Sequence, residues 1–247
     1  MTFAFVAYIV AGAFLGGFIN GLAGFGTALF ALGLLLQVLT PVQAVAICVV
    51  LSVVGGIPGL IVVRHHLEWR RLVRFLLPAF VGIPIGVALL AVVDARALKL
   101  ITAAFLLFYG AYFVLRRDLP KVEGEFPLVD AAVGFAGGVL GGLASLSGVL
   151  PTVWASLRPW PKLRTRAVLQ PFNVAILAST AVVLAAQGAY TRPVGLALLV
   201  AIPTTVVASQ IGIRIFQRLS DARFRRLLIA LIVVSGIGIL VKELLLA

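Results

Sequence analysis

Apolar residues come in long runs separated by short polar stretches rich in arginine. Eight runs can be drawn: Phe3 to Leu39, Val42 to Val63, Leu72 to Val93, Ala97 to Leu115, Leu128 to Leu157, Ala167 to Gln187, Val194 to Ile213 and Leu227 to Leu246. Six of them have the roughly 20 residues that one helix needs to cross a ~30 Å hydrocarbon core. The first and fifth are different. As a single helix the first would be about 55 Å long, far beyond one crossing. Both are interrupted by glycine, at Gly16-Gly17-Phe18-Ile19-Asn20-Gly21-Leu22-Ala23-Gly24-Phe25-Gly26-Thr27 and at Gly137-Gly138-Val139-Leu140-Gly141-Gly142-Leu143-Ala144-Ser145-Leu146-Ser147-Gly148. The pattern predicts an all-α polytopic membrane protein. It would have six crossing helices plus two Gly-broken segments, re-entrant or V-shaped.

The two glycine stretches align at an offset of 121, which places Gly16, Gly17, Gly21, Leu22 and Ala23 on identical residues. A second echo follows them. Asp94-Ala95-Arg96 opens one basic helix start and Asp221-Ala222-Arg223 another, with Pro78 and Gly86 before the first and Pro203 and Gly212 before the second. The chain therefore reads as a tandem repeat joined near Arg116 to Pro127. Residues 1–120 form the first membrane repeat and 121–247 the second, together one transmembrane domain.

Loop charges set the orientation. Thr40 to Gln43 carries no Lys or Arg, whereas its counterpart carries Arg158, Lys162, Arg164 and Arg166. The next loop carries Arg64, Arg70, Arg71 and Arg74 against only Arg192. Arg96 and Lys99 stand against Arg214, Arg218, Arg223, Arg225 and Arg226, and Arg116, Arg117 and Lys121 against Lys242. The bias flips at every comparison, as in the inverted repeats of secondary transporters. With Arg116 to Lys121 and Arg158 to Arg166 both cytoplasmic, Leu128 to Leu157 enters and leaves on one side. Phe3 to Leu39 then dips in from the other face, with the N-terminus outside. Irregular backbone at that depth must be buried in protein or line a polar cavity. The two tips are thus expected to meet near the midplane and frame a substrate site.

Composition agrees: 62% of the 247 residues are hydrophobic and 11% charged, against about 25% charged in soluble domains. The net charge of +12 sits in short loops. It follows the positive-inside rule and does not point to nucleic acid. The lone Cys48 excludes an internal disulfide and a cysteine-cluster metal site. The first run has no basic leader and no obvious cleavage site, so it reads as part of the mature protein. No nucleotide-binding motif is present, and no cofactor is expected.

The eight acids are Glu68, Asp94, Asp118, Glu123, Glu125, Asp130, Asp221 and Glu243, all in loops or near helix ends. Cation transporters and proton relays usually keep an acid inside a span. Its absence points to an anionic or neutral substrate. Arg166, Gln170 and Asn173, spaced four and three apart, share one helical face. They would offer a positive charge and amide N–H groups to substrate oxygens. Alternatively Arg166 is a snorkelling topology anchor and the amides bridge helices. At the tips, Asn20, Thr27, Ser145 and Ser147 are further candidates. So are the backbone N–H groups beside Gly24, Gly26 and Gly148, because a helix starting after a break points orphan donors at an anion. The other glycines read as helix packing, Pro151 as shaping the second arm, and Gln37 and Gln43 as interfacial.

The sequence resembles the TauE/SafE sulfite-exporter family. The resemblance rests on Gly21-Leu22-Ala23-Gly24-Phe25-Gly26, on Gly142-Leu143-Ala144-Ser145-Leu146-Ser147-Gly148-Val149-Leu150-Pro151, on Thr165-Arg166-Ala167 and on the order of spans, and it covers nearly the whole chain. It implies a bacterial plasma-membrane permease for small sulfur oxyanions such as sulfite, or organosulfonates such as sulfoacetate. Where the family's first cluster often holds consecutive glycines, this chain has Gly24-Phe25-Gly26-Thr27. Phe25 and Thr27 would narrow or reshape the site. The leading reading is a secondary exporter of a small anion working by alternating access. A coupling ion and a homodimer are both left open. An anion channel or a membrane-embedded partner subunit is the alternative. An intramembrane serine hydrolase at Ser147 is disfavoured, because the only histidines, His65 and His66, lie in a basic loop.

Overall fold

The computed structural model describes residues 3–115 and 122–220, with Ile237 and Val241. Arg116, Arg117 and Lys121, the Asp221-Ala222-Arg223 stretch and, apart from those two residues, the run Leu227 to Leu246 lie outside the described residues. The described chain is all-α. Its helices are α1 (Phe3–Ala23), α2 (Thr27–Leu35), α3 (Pro41–Val63), α4 (Trp69–Leu90), α5 (Ala95–Leu115), α6 (Pro127–Ala144), α7 (Val149–Ser156), α8 (Lys162–Ala186) and α9 (Arg192–Arg218). Both expected breaks occur, one between α1 and α2 and the other between α6 and α7.

Among the described residues, six helices are long and apolar enough to cross a membrane: α1, α3, α4, α6, α8 and α9. This differs in detail from the reading of the runs. Each break falls late, leaving a long arm of 21 or 18 residues and a short arm of 9 or 8. The long arms α1 and α6 therefore qualify by length, at about 31 and 27 Å. Helix starts are also earlier than the apolar runs suggest. Thr40 and Gln43 form a capping box at α3, with Pro41 just inside. That pairing satisfies two orphan N–H groups and gives Gln43 a capping role at the end of the span. Asp94 caps α5 by accepting from the Ala97 N–H at 2.6 Å.

Glycine contacts fix the packing. Gly12 faces Ala31 and Leu35, and Gly16 faces Thr27 and Ala31, so α2 folds back antiparallel along α1. Gly17 lies on Thr205 and Gly21 on Ser209, so α1 runs parallel to α9. Gly138 lies on Ala79 and Gly142 on Ile83, so α6 runs parallel to α4 in the same way. Gly212 reaches Phe18 and Leu22, while Gly86 reaches Val139 and Leu143. Each contact in the second group matches one in the first, shifted by the sequence echo. No side chain separates the backbones, which suits a solvent where van der Waals fit rather than the hydrophobic effect drives helix association. Between these pairs, α3 and α8 cross antiparallel, with Gly56 and Gly59 against Gln170.

One end of the bundle is basic. The α3–α4 link, residues 124–126 and the α7–α8 link meet there. Arg164 donates to Glu68, Arg71 to Glu68 at 2.8 Å and Arg74 to Glu125 at 2.7 Å. Thr40 lies at the other end of α3, where Tyr190 donates to the Ala46 carbonyl at 3.4 Å. Burial raises the Tyr190 phenol to about 12.

Candidate functional site

The broken segments present unusual backbone. Gly24 has φ 85° and Gly26 φ 94°, conformations that a side chain would strain. Ser145, which aligns with Gly24 at the offset of 121, also takes the left-handed region at φ 58°. A non-glycine residue held there costs about 1–2 kcal/mol and clusters at functional sites. The tips touch: a Cβ on Gly148 would lie 2.8 Å from the Phe25 Cβ. Phe25 thus fills the space that Gly148 leaves open.

Beside the first tip lies the polar face of α8. Arg166 is only 4% exposed, so its head does not snorkel. Its Nη2 donates to the Gly21 carbonyl at 3.0 Å and its Nε to Gln170 Oε1 at 3.3 Å. Its guanidinium carbon sits 4.4 Å from the centre of the Phe216 ring. Gln170 Nε2 donates to the Gly56 carbonyl at 3.0 Å. Asn20 donates to the Ser52 carbonyl at 2.9 Å, and Ser147 donates to Asn173 Oδ1 at 2.6 Å. One network therefore joins α1, α3 and α8 around Arg166, and a second contact ties the other tip to α8. No hydrogen bond links Thr27 or Ser145 to either, although both are buried at the tips.

Six buried polar atoms in these segments have no hydrogen-bond partner: Asn20 Oδ1, Thr27 Oγ1, Ser52 Oγ, Ser145 Oγ, Arg166 Nη1 and Asn173 Nδ2. At about 1–3 kcal/mol each, such orphans would together cancel an ordinary domain's stability. Protein groups alone leave these atoms without partners. Three of the six can donate through hydroxyls, and Arg166 and Asn173 through N–H, while Asn20 Oδ1 can only accept. Among the described residues no carboxylate pairs with Arg166. No group of three or more His, Cys, Asp or Glu that could hold a metal occurs among them either.

Of the expected residues, Asn20, Gly24, Arg166 and Gln170 come together, and Ser147 and Asn173 form a pair beside them. Gly26 starts α2 and Gly148 receives Phe25. The sequence reading omitted Ser52, Gly56, Gly59 and Phe216. A lone serine in an apolar run carries no signal. The Gly55-Gly56 pair with Gly59, three small residues on one face of α3, was the available hint.

The model of the sulfite exporter TauE/SafE family matches residues 9–239. No curated protein and no solved structure matches the chain.

Proposed function

Since the chain belongs to the sulfite exporter TauE/SafE family, we propose that it is a secondary permease that exports a small oxyanion, sulfite or an organosulfonate such as sulfoacetate. One observation carries this reading: Arg166 is a buried guanidinium with a free N–H and no acidic partner among the described residues. An uncompensated charge at such depth costs several kcal/mol, and an anion would relieve that cost. Asn173 Nδ2 and the Ser52, Thr27 and Ser145 hydroxyls would share the remaining oxygens. Gln170 already spends one N–H on Gly56, so it positions Arg166 as much as it binds.

Residues 1–120 and 121–247 act here as inverted repeats. The swapped parallel pairs α1–α9 and α6–α4, and the antiparallel α3 and α8, support this. The broken segments are the re-entrant elements, entering from opposite faces of a bacterial inner membrane with the basic end cytoplasmic. Every polar side chain named at the tips is at most 4% exposed, which fits an occluded state of an alternating-access carrier better than an open channel. A serine hydrolase at Ser147 has no base to serve it, because Ser147 donates to an amide oxygen.

A counterflow screen in proteoliposomes with sulfite, sulfoacetate, taurine, sulfate and simple carboxylates tests the proposal. Saturable exchange of a sulfur oxyanion supports it. Preference for carboxylates removes the sulfur assignment, and unsaturable conductance without counterflow removes the carrier.

A further inference from the structure

A pocket of about 330 Å³ opens at the basic end, away from the tips, and its chemistry serves a different ligand. Its walls carry Arg70, Arg71, Arg74 and Arg164 against Glu68 and Glu125, an excess of two positive charges. Glu68 is shared by Arg71 and Arg164, and Glu125 takes Arg74. Arg70, exposed at the rim, has no ion pair among the described residues. The pocket therefore keeps an unspent guanidinium fork, which matches phosphate oxygens in geometry.

Its depth is set by aromatic residues. All three tryptophans of the chain, Trp69, Trp154 and Trp160, lie at this end. The Trp160 indole has the Arg71 guanidinium 4.5 Å from its centre and the Arg164 guanidinium at 5.8 Å. Tryptophan gathers at the headgroup level of a bilayer. Below the pocket, Trp69, Val73 and Leu77 follow one another by four along α4, and they are 64%, 41% and 64% exposed. This outward apolar stripe begins at the pocket wall itself, because Trp69 belongs to both.

We infer that this pocket binds the phosphate of an anionic phospholipid, whose acyl chain lies along Trp69, Val73 and Leu77. Phosphate oxygens explain the charge excess, and the stripe selects a lipid over a free anion. Basic pockets beside cytoplasmic helix ends commonly hold such headgroups. The site does not depend on what Arg166 binds.

The test uses the full chain, purified and delipidated in neutral detergent. Thermal unfolding and native mass spectrometry are followed with phosphatidylglycerol, with phosphatidylcholine of the same acyl chains, and with inorganic phosphate. Phosphatidylglycerol should raise Tm by about 3 °C more than phosphatidylcholine. It should also remain bound in the spectrometer. Arg70→Gln should lose most of that difference, while Arg192→Gln, exposed at the opposite end, should keep it. Equal effects of the two lipids on the wild-type chain would overturn the inference, whatever the variants do. So would an equal shift from inorganic phosphate, which would make the pocket a free-anion site.

Discussion

Arg166 and Gln170 are tied across one helical turn: Arg166 Nε donates to Gln170 Oε1 at 3.3 Å, while Gln170 Nε2 donates to the Gly56 carbonyl at 3.0 Å. The amide thus works as a bracket between α3 and the guanidinium. Gly59 makes room for it, since a Cβ there would lie 2.6 Å from Gln170 Oε1.

Replacing this amide by a carboxylate changes almost no volume and reverses the electrostatics. In Gln170→Glu the new charge faces Arg166 at a separation where attraction is about 4 kcal/mol at an effective dielectric of 20. The pair neutralises itself and competes with a substrate anion. Transport should fall about 100-fold or more, while Tm changes little, because the lost donation to the Gly56 carbonyl offsets the gain from the new ion pair. Initial rates in proteoliposomes, alongside thermal unfolding, check both halves of the expectation.

Asn173 serves two partners, one of them unfilled. Its Oδ1 accepts from Ser147, and its Nδ2 is an orphan donor. Asn173→Leu should cut transport tenfold or more. It should also cost about 1–2 kcal/mol by leaving the Ser147 hydroxyl buried without an acceptor. Adding Ser147→Ala should restore the stability but not the transport. Recovery of transport in the double variant would mean that Asn173 matters only for packing.

Gly142 is a structural counterpart to these site residues. A Cβ there would lie 2.6 Å from the Ile83 carbonyl oxygen and 2.9 Å from the Val87 nitrogen. Gly142→Val forces α4 and α6 apart and should lower stability by about 3 kcal/mol or more, or prevent accumulation. Gly195→Ala, with nothing within 4 Å, should leave Tm within error. Size-exclusion profiles and Tm distinguish the two.

The basic end carries a pH-dependent tie. A hydrogen bond from Arg164 lowers the Glu68 carboxyl below its usual range; burial opposes the shift, and the Arg71 and Arg164 charges add to it. A depressed carboxylate stabilises the fold above its unfolded pKa of about 4.3, and that contribution is lost as pH falls through the lower folded value. The tie should therefore be intact from pH 5 to 8. Glu68→Gln should cost about 0.5–1 kcal/mol at pH 7, a modest figure because the pair is partly solvated. The difference from wild type should shrink as pH falls below about 4.3 and vanish only below the depressed folded value.

The apolar runs and the two glycine breaks made the helices legible, because lipid demands unbroken hydrogen-bonded spans and tolerates irregular backbone only inside protein. Spacing alone put Arg166, Gln170 and Asn173 on one face. It left open whether Arg166 snorkels, which depends on where Gly21 and Phe216 come to rest. The unequal arms were not legible, since Gly16 and Gly17 look as able to end a helix as Gly24. They stay helical because Thr27 and Thr205 close on them. The Ser52 hydroxyl and the three-glycine shelf of α3 acquire meaning only once α3 crosses α8.

Arg166→Met removes the buried charge and keeps the side chain's bulk. Counterflow of labelled sulfite should saturate in wild-type proteoliposomes and fall to the level of empty vesicles in the variant. The variant should still fold with a Tm near the wild-type value, because relief of the buried cation's desolvation cost offsets the two hydrogen bonds lost to Gly21 and Gln170. Wild-type counterflow rates in a well-folded Arg166→Met protein would contradict an anion site at Arg166.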